Sequence, residues 1–206
     1  MNAGPRGKFV VLEGGDGSGK STQVARLAAR LRAQGVDVHE TFEPGAGALG
    51  AVIRNLLLHG PSEVAPVTEA LLMAADRAQH VAAEIEPALA RGAWVVCDRY
   101  VPSSLVYQGV VRGLGVATVG QLSEIATGGL HPDLVIVLDV SDDVAVARQR
   151  GEPDRLEREG DAFHAAVRRA YRELAAPNGW AIVAADGSVD DVATRVEAAV
   201  APLLAG

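Results

Sequence analysis

Short, continuous apolar runs alternate along this chain with stretches whose apolar residues recur every three to four positions, the pattern of strands exchanged with helices. Phe9-Val10-Val11-Leu12 opens the series and runs into a glycine-rich stretch, after which Val24, Leu27, Ala28 and Leu31 keep a helical spacing up to Gly35. Val36 to His39 is expected as a weak strand and Glu43-Pro44-Gly45 as a turn. Leu49, Val52, Ile53, Leu56 and Leu57 mark one face of a second helix. A third follows the prolines at 61 and 66 and passes through Leu71, Leu72, Ala75, Ala78 and Val81 to Gly92.

Trp94-Val95-Val96-Cys97 and Leu134-Val135-Ile136-Val137-Leu138 are apolar throughout rather than alternating, as strands covered on both faces are. The first stops at Asp98-Arg99, the second at Asp139, and Ala181 to Ala184 supplies a fifth strand. Ser188 and Asp191 have the spacing of a capping box for a last helix, with Val192, Val196, Ala199 and Leu203 turned inward. The pattern predicts an α/β fold, a five-stranded parallel sheet flanked by helices on both faces, as one domain over residues 1–206. Ligands of such sheets bind beyond the strands' carboxyl ends, where Asp16, Asp98 and Asp139 should fall.

Composition narrows the function. With 206 residues, 49% hydrophobic and 22% charged, the chain can bury about 70% of its unfolded surface. Its net charge of −7 gives no general positive field for nucleic acid or an anionic lipid surface, so a phosphate ligand must be caught locally. No apolar run approaches the ~18 residues that a membrane span needs. The one cysteine, Cys97, can form no internal disulfide, which fits a reducing, cytoplasmic setting, and its place in an apolar run predicts a buried, inert thiol. His80, His131 and His164 have no partner at metal-ligand spacing.

The local trap is legible. Gly14-Gly15-Asp16-Gly17-Ser18-Gly19-Lys20-Ser21 fits the phosphate-binding loop G-x-x-x-x-G-K-[ST] and lies between a predicted strand and a predicted helix; composition alone yields roughly 0.002 such matches. In such a loop, glycines let successive N–H groups and the helix N-terminus point at phosphate oxygens. Residues 14 to 22, ending at Ser21-Thr22, would wrap the phosphates of ATP, with Lys20 reaching the β and γ groups and the Ser21 hydroxyl ligating Mg²⁺. Only two lysines stand beside 17 arginines, and one of them occupies the loop's lysine position. The dinucleotide pattern G-x-G-x-x-G fails, because Lys20 stands where its third glycine would be. A guanine-reading Asn-Lys-x-Asp is absent, which argues against a GTPase. Asp98 offers a carboxylate for Mg²⁺ or its waters, and Arg99 a cation for phosphate.

Several further segments stand in order along almost the whole chain: Glu43-Pro44-Gly45, Ala75-Asp76-Arg77-Ala78-Gln79, Asp98-Arg99-Tyr100 with Ser103-Ser104 and Tyr107-Gln108-Gly109, and Asp154-Arg155-Leu156-Glu157. With the loop, they make the chain similar to the bacterial thymidylate kinase family. That resemblance implies a P-loop kinase fold, a homodimer, and Mg²⁺-dependent transfer of the γ-phosphoryl of ATP to the 5′-phosphate of dTMP. By matching position it implies Asp16 near the acceptor's sugar and phosphate, and Arg54 and Arg99 on that phosphate. It also implies Arg77, Ser104 and Gln108 on the thymine edge, and Tyr107 beside the sugar.

An acceptor phosphate oxygen is already anionic, so no general base is required; the enzyme must neutralise and align two repelling phosphates. The arginine-rich stretch at about residues 148–160 reads as a short lid. In the family, members without a loop arginine use lid arginines on the transferring group, and Gly17 fills that loop position here. Arg150 and Arg155 are expected there, with Arg148 in reserve. Two departures matter: Phe42 stands where the family has an arginine before Glu-Pro-Gly, and Met73 stands where it has a phenylalanine stacked on thymine. A deoxynucleoside kinase with Asp98 as base, or a non-catalytic ATP-binding switch, are the competing readings.

Overall fold

Strand β1 (Phe9–Glu13) has all five residues buried because it runs down the middle of the sheet. Its neighbours are β3 (Trp94–Asp98) and β4 (Leu134–Asp139), with β2 (Val38–Phe42) and β5 (Ala181–Ala184) at the edges, and every pairing is parallel. This is a computed structural model, and it describes residues 5–61, 63–148, 155–156 and 158–204.

The continuous apolar runs now have their cause. Val10, Leu12, Val96, Ile136 and Leu138 point to one face, where α1 (Lys20–Ala33) and α9 (Val189–Leu204) cover them with Val24, Leu27, Val192 and Val196. Phe9, Val11, Val95, Cys97, Val135 and Val137 point to the other. There they meet α8 (Asp161–Asn178), α3 (Pro66–His80) as it continues through a π-helical turn (Val81–Ile85) into α4 (Glu86–Ala90), and the helix after β3. That helix is α5 (Val101–Ser104), extended by a π-helical stretch (Leu105–Val111). Helices α2 (Gly47–His59), α6 (Val116–Thr127) and α7 (Asp142–Arg148) complete the described elements. The box at the start of α9 is reciprocal: the Ser188 hydroxyl donates to Asp191 Oδ2 at 2.6 Å, and the Asp191 N–H donates to Ser188 Oγ at 3.2 Å.

Two expectations are corrected. The second strand is displaced from 36–39 to Val38–Phe42, because among the described strands β2 pairs only with β3 and takes its register from it, Val38 opposite Trp94 and Phe42 opposite Asp98. On α2 the buried face is Gly50, Ile53, Leu57 and Leu58, while Leu49, Val52 and Leu56 are about half exposed. Gly50 sets this rotation, since a Cβ there would stand 2.9 Å from both Asp76 Oδ1 and the Gly45 carbonyl carbon.

Candidate active site

The carboxyl ends of β1 and β3 converge on the loop from Gly14 to Ser21. Gly19, at φ 88°, turns the chain into α1 without any side-chain cap, which leaves the helix's first N–H groups available to an anion. Gly17, at φ 78°, backs onto α7, where any Cβ would collide with the Ala145 carbonyl. That packing excludes an arginine from the position. Lys20 is buried and its Nζ donates to the Gly15 carbonyl at 3.0 Å, folded back along the loop. Burial pushes the Lys20 pKa down, with Arg99 adding to the effect against Asp98, Asp16 and Glu13.

Ser21 Oγ donates to Asp98 Oδ2 at 2.5 Å, joining the two residues expected to hold magnesium. Asp98 Oδ1 is buried with no hydrogen-bond partner among the described residues. Two hard oxygen donors, one of them unspent, fit a Mg²⁺ that takes few protein ligands and keeps its waters and phosphate oxygens. Among the described residues, no group of three or more His, Cys, Asp or Glu side chains is arranged to hold a metal ion.

Arg99 leaves β3 at φ 71°, a left-handed conformation that few non-glycine residues adopt. The turn aims its guanidinium at the loop, 2.5 Å from Asp16 Oδ1 and 3.2 Å from the Gly14 carbonyl, with its carbon 5.3 Å from the Tyr107 ring centre. Burial raises the Asp16 pKa, but Arg99, Lys20 and His164 outweigh it and hold the carboxyl below its usual range. Tyr107 also donates to Asp16 Oδ2, at 3.4 Å.

Beneath Arg99 lies a network that the sequence did not reveal. The fully buried Glu13 accepts from Ser103 Oγ at 2.6 Å, Tyr171 Oη at 2.7 Å and the Tyr100 N–H at 2.8 Å. Burial pushes its pKa up against these donors and Arg99. A carboxylate ending an apolar strand was the one available signal. Its partners lie 87 to 158 residues away.

From the loop a cleft of about 1300 Å³ extends across the sheet edge to Met73, Arg77 and Gln108, larger than the 300–1,000 Å³ typical of a single ligand's pocket. Arg77, buried, donates to Glu43 Oε2 at 2.8 Å, to the Tyr100 carbonyl at 2.9 Å and to Ser104 Oγ at 3.0 Å. His80 Nδ1 lies 2.9 Å from the other Glu43 oxygen, which makes this histidine part of a buried polar network. Gln108 Nε2 donates to Glu69 Oε1 at 2.9 Å. Met73 packs beside Ile53, Leu57 and Leu58 and also lines the cleft. Arg54 donates to the Pro44 carbonyl at 2.7 Å and lies 5.8 Å from the Phe42 ring centre, so the aromatic ring in the family arginine's place supports the remaining arginine.

The arginines expected in a lid separate. Arg148 lines the cleft and donates to the Ala185 and Gly187 carbonyls at 3.0 and 3.1 Å. Arg155 does not line it: its side chain donates to the Leu57 carbonyl and to Glu69 Oε2, each at 2.7 Å. Arg150, like Asp154 and Glu157, lies outside the described residues. Asp139 stands at its strand end but pairs with Arg172 at 2.8 Å.

A family model described as thymidylate kinase matches residues 12–196. The chain is 48% identical over 198 residues to a thymidylate kinase of Synechococcus sp. (strain JA-3-3Ab), covering 95% of this chain and 96% of that one. It is 49% identical over 194 residues to a thymidylate kinase of Leifsonia xyli subsp. xyli, covering 92% of each.

Proposed function

Because the chain belongs to the thymidylate kinase family and is therefore a nucleoside monophosphate kinase that transfers phosphoryl from ATP to dTMP, we propose a division of labour within its cleft. Residues 14 to 22 wrap the donor triphosphate, and Lys20 exchanges the Gly15 carbonyl for the β and γ phosphates. Arg99 and Arg54 hold the acceptor phosphate, and Asp16 orients Arg99 and the acceptor's sugar. Arg77, Ser104, Gln108, Tyr107 and Met73 hold the nucleoside. Ser21 and Asp98 would hold Mg²⁺, whose charge offsets that of the donor phosphates. An anionic oxygen of dTMP attacks the γ phosphorus, the bond to the β–γ bridging oxygen breaks, and ADP leaves with that bond's electrons as dTDP forms. No proton has to be removed, so positioning and charge neutralisation carry the reaction.

The observation that carries this reading is the position of Arg99, whose one guanidinium touches both a carbonyl and a carboxylate of the phosphate loop. An acceptor anion bound there is held against the donor. Arg148 is positioned to reach the donor nucleotide, whereas Arg155 must leave Glu69 before it can join Arg150 on the transferring group. We read residues 148–160 as the lid of a single kinase domain.

The half-exposed Leu49, Val52 and Leu56 of α2, with Val67 and Leu71 of α3, support a homodimer in which a second copy covers this face. No described helix is long and apolar enough to cross a membrane, and the free Cys97 suits a reducing cytoplasm. Incubation of dTMP, dUMP, dGMP, CMP and thymidine separately with ATP and Mg²⁺ tests the activity. We expect dTMP to be turned over best; phosphorylation of thymidine alone would instead make Asp98 a base and overturn the reading.

A further inference from the structure

Glu69, in the first turn of α3, is a carboxylate only 1% exposed. Its Oε1 accepts from Gln108 Nε2 at 2.9 Å, and its Oε2 accepts from Arg155 Nη2 at 2.7 Å, with Arg112 3.4 Å from each oxygen. Burial acts to raise its pKa, but the Gln108 amide and the two arginines outweigh it and keep the group ionised. An ionised carboxylate has no proton to give, so it accepts only the NH₂ end of the amide. Gln108 is thereby fixed in one sense. Its Oε1, which makes no hydrogen bond among the described residues, becomes the group that Gln108 offers to the cleft it lines. Arg77, which lines the same cleft, has donors only and spends three of its five N–H groups on Glu43, Ser104 and Tyr100.

We propose that Glu69 determines base selectivity by locking the Gln108 amide so that an acceptor faces the base, selecting pyrimidines that carry a proton on N3. Thymine offers N3–H to the Gln108 oxygen and its O4 carbonyl to the arginine. Cytosine turns a lone pair at N3 toward that oxygen and an amino group toward the arginine, mismatched at both points. Glu69 is thus a positioning residue, and no base contact of its own is required. The inference rests on the base-binding role given above to Gln108 and Arg77.

Equilibrium binding separates this from any effect of Arg155 on turnover. Calorimetric dissociation constants for dTMP and dCMP are compared in the wild type, E69Q, R112M and the double exchange E69Q/Q108E. E69Q can offer Gln108 either end of an amide, so the dTMP-over-dCMP preference is expected to fall at least tenfold, about 1.4 kcal/mol. R112M removes a cation from Glu69 without releasing the amide and should keep the preference within twofold. The double exchange restores a donor at 69 and an acceptor at 108 and should recover most of the preference. A wild-type preference in folded E69Q overturns the proposal, as does a lost preference that the double exchange leaves unrecovered. If E69Q does not fold, E69D, which withdraws the carboxylate by one methylene, should show the same loss, and an unaltered preference there counts against the proposal. A wild type that binds dTMP no better than dCMP would instead overturn the reading of the base pocket.

Discussion

Arg99 combines a left-handed backbone with a guanidinium tied to Asp16, Gly14 and Ser103. Such a conformation costs a side-chain-bearing residue of order 1–3 kcal/mol, so the surrounding bonds must impose it. The loop that carries Lys20 and Ser21 was legible because a phosphate-cradling motif demands their residue types at fixed spacing. Glu13 and Glu69 were not, because a buried acid is explained only by partners distant in sequence. If Lys20 acts on the transferring phosphates as proposed, replacing it by Ala should slow dTDP formation by roughly 100-fold or more, while melting temperature changes little. Rates measured at saturating ATP check this. Asp76 gives a second case. Burial and the nearby Glu43 carboxylate push it up to about 6, against the Gly45 N–H, His80 and Arg77, and its Oδ2 has no partner among the described residues. A folded-state value above the unfolded 3.8 means the folded state prefers the protonated acid. That preference is fully felt below about pH 4 and is lost as pH rises through about 6. Asp76→Asn should therefore melt higher than the wild type at pH 7.5, with the gap closing toward pH 4.5; a gap independent of pH would contradict the assignment.

Among the elements, β1, β3 and β4 were readable from sequence because strands buried on both faces leave no polar alternation to misplace. For β2 the presence was readable but not the limits: as an edge strand holding His39, Glu40 and Thr41, it takes them from β3 rather than from its own apolar content. On α2 both faces carry aliphatic residues, so periodicity alone could not choose between them. The choice falls on Gly50, which lets the helix approach the Gly45 turn and Asp76. Gly50→Ala would overpack this contact and should cost on the order of 1–3 kcal/mol in chemical denaturation. It should also weaken dTMP more than ATP, because Arg54 lies one turn further along the same helix. Equal loss for both nucleotides would separate α2 from the acceptor site.

For the molecule as a whole, the doubly covered sheet and its loaded carboxyl edge followed from pattern and motif, whereas a single sequence does not display a surface shared between two chains. The aliphatic face of α2 and α3 became apparent only when α2 proved to be rotated. Leu56→Glu, placed on that face and outside the cleft, should shift sedimentation from dimer to monomer; an unchanged coefficient would put the contact elsewhere. One consequence follows from Cys97, fully buried in a strand with neighbours on both sides and raised well above an ordinary thiol by burial and by the Glu43 and Asp98 charges. Ellman's reagent has no thiolate to meet while the sheet is intact. The colour it develops therefore clocks rupture of the central strands, and saturating nucleotide should stretch that clock without any label having been engineered into the protein.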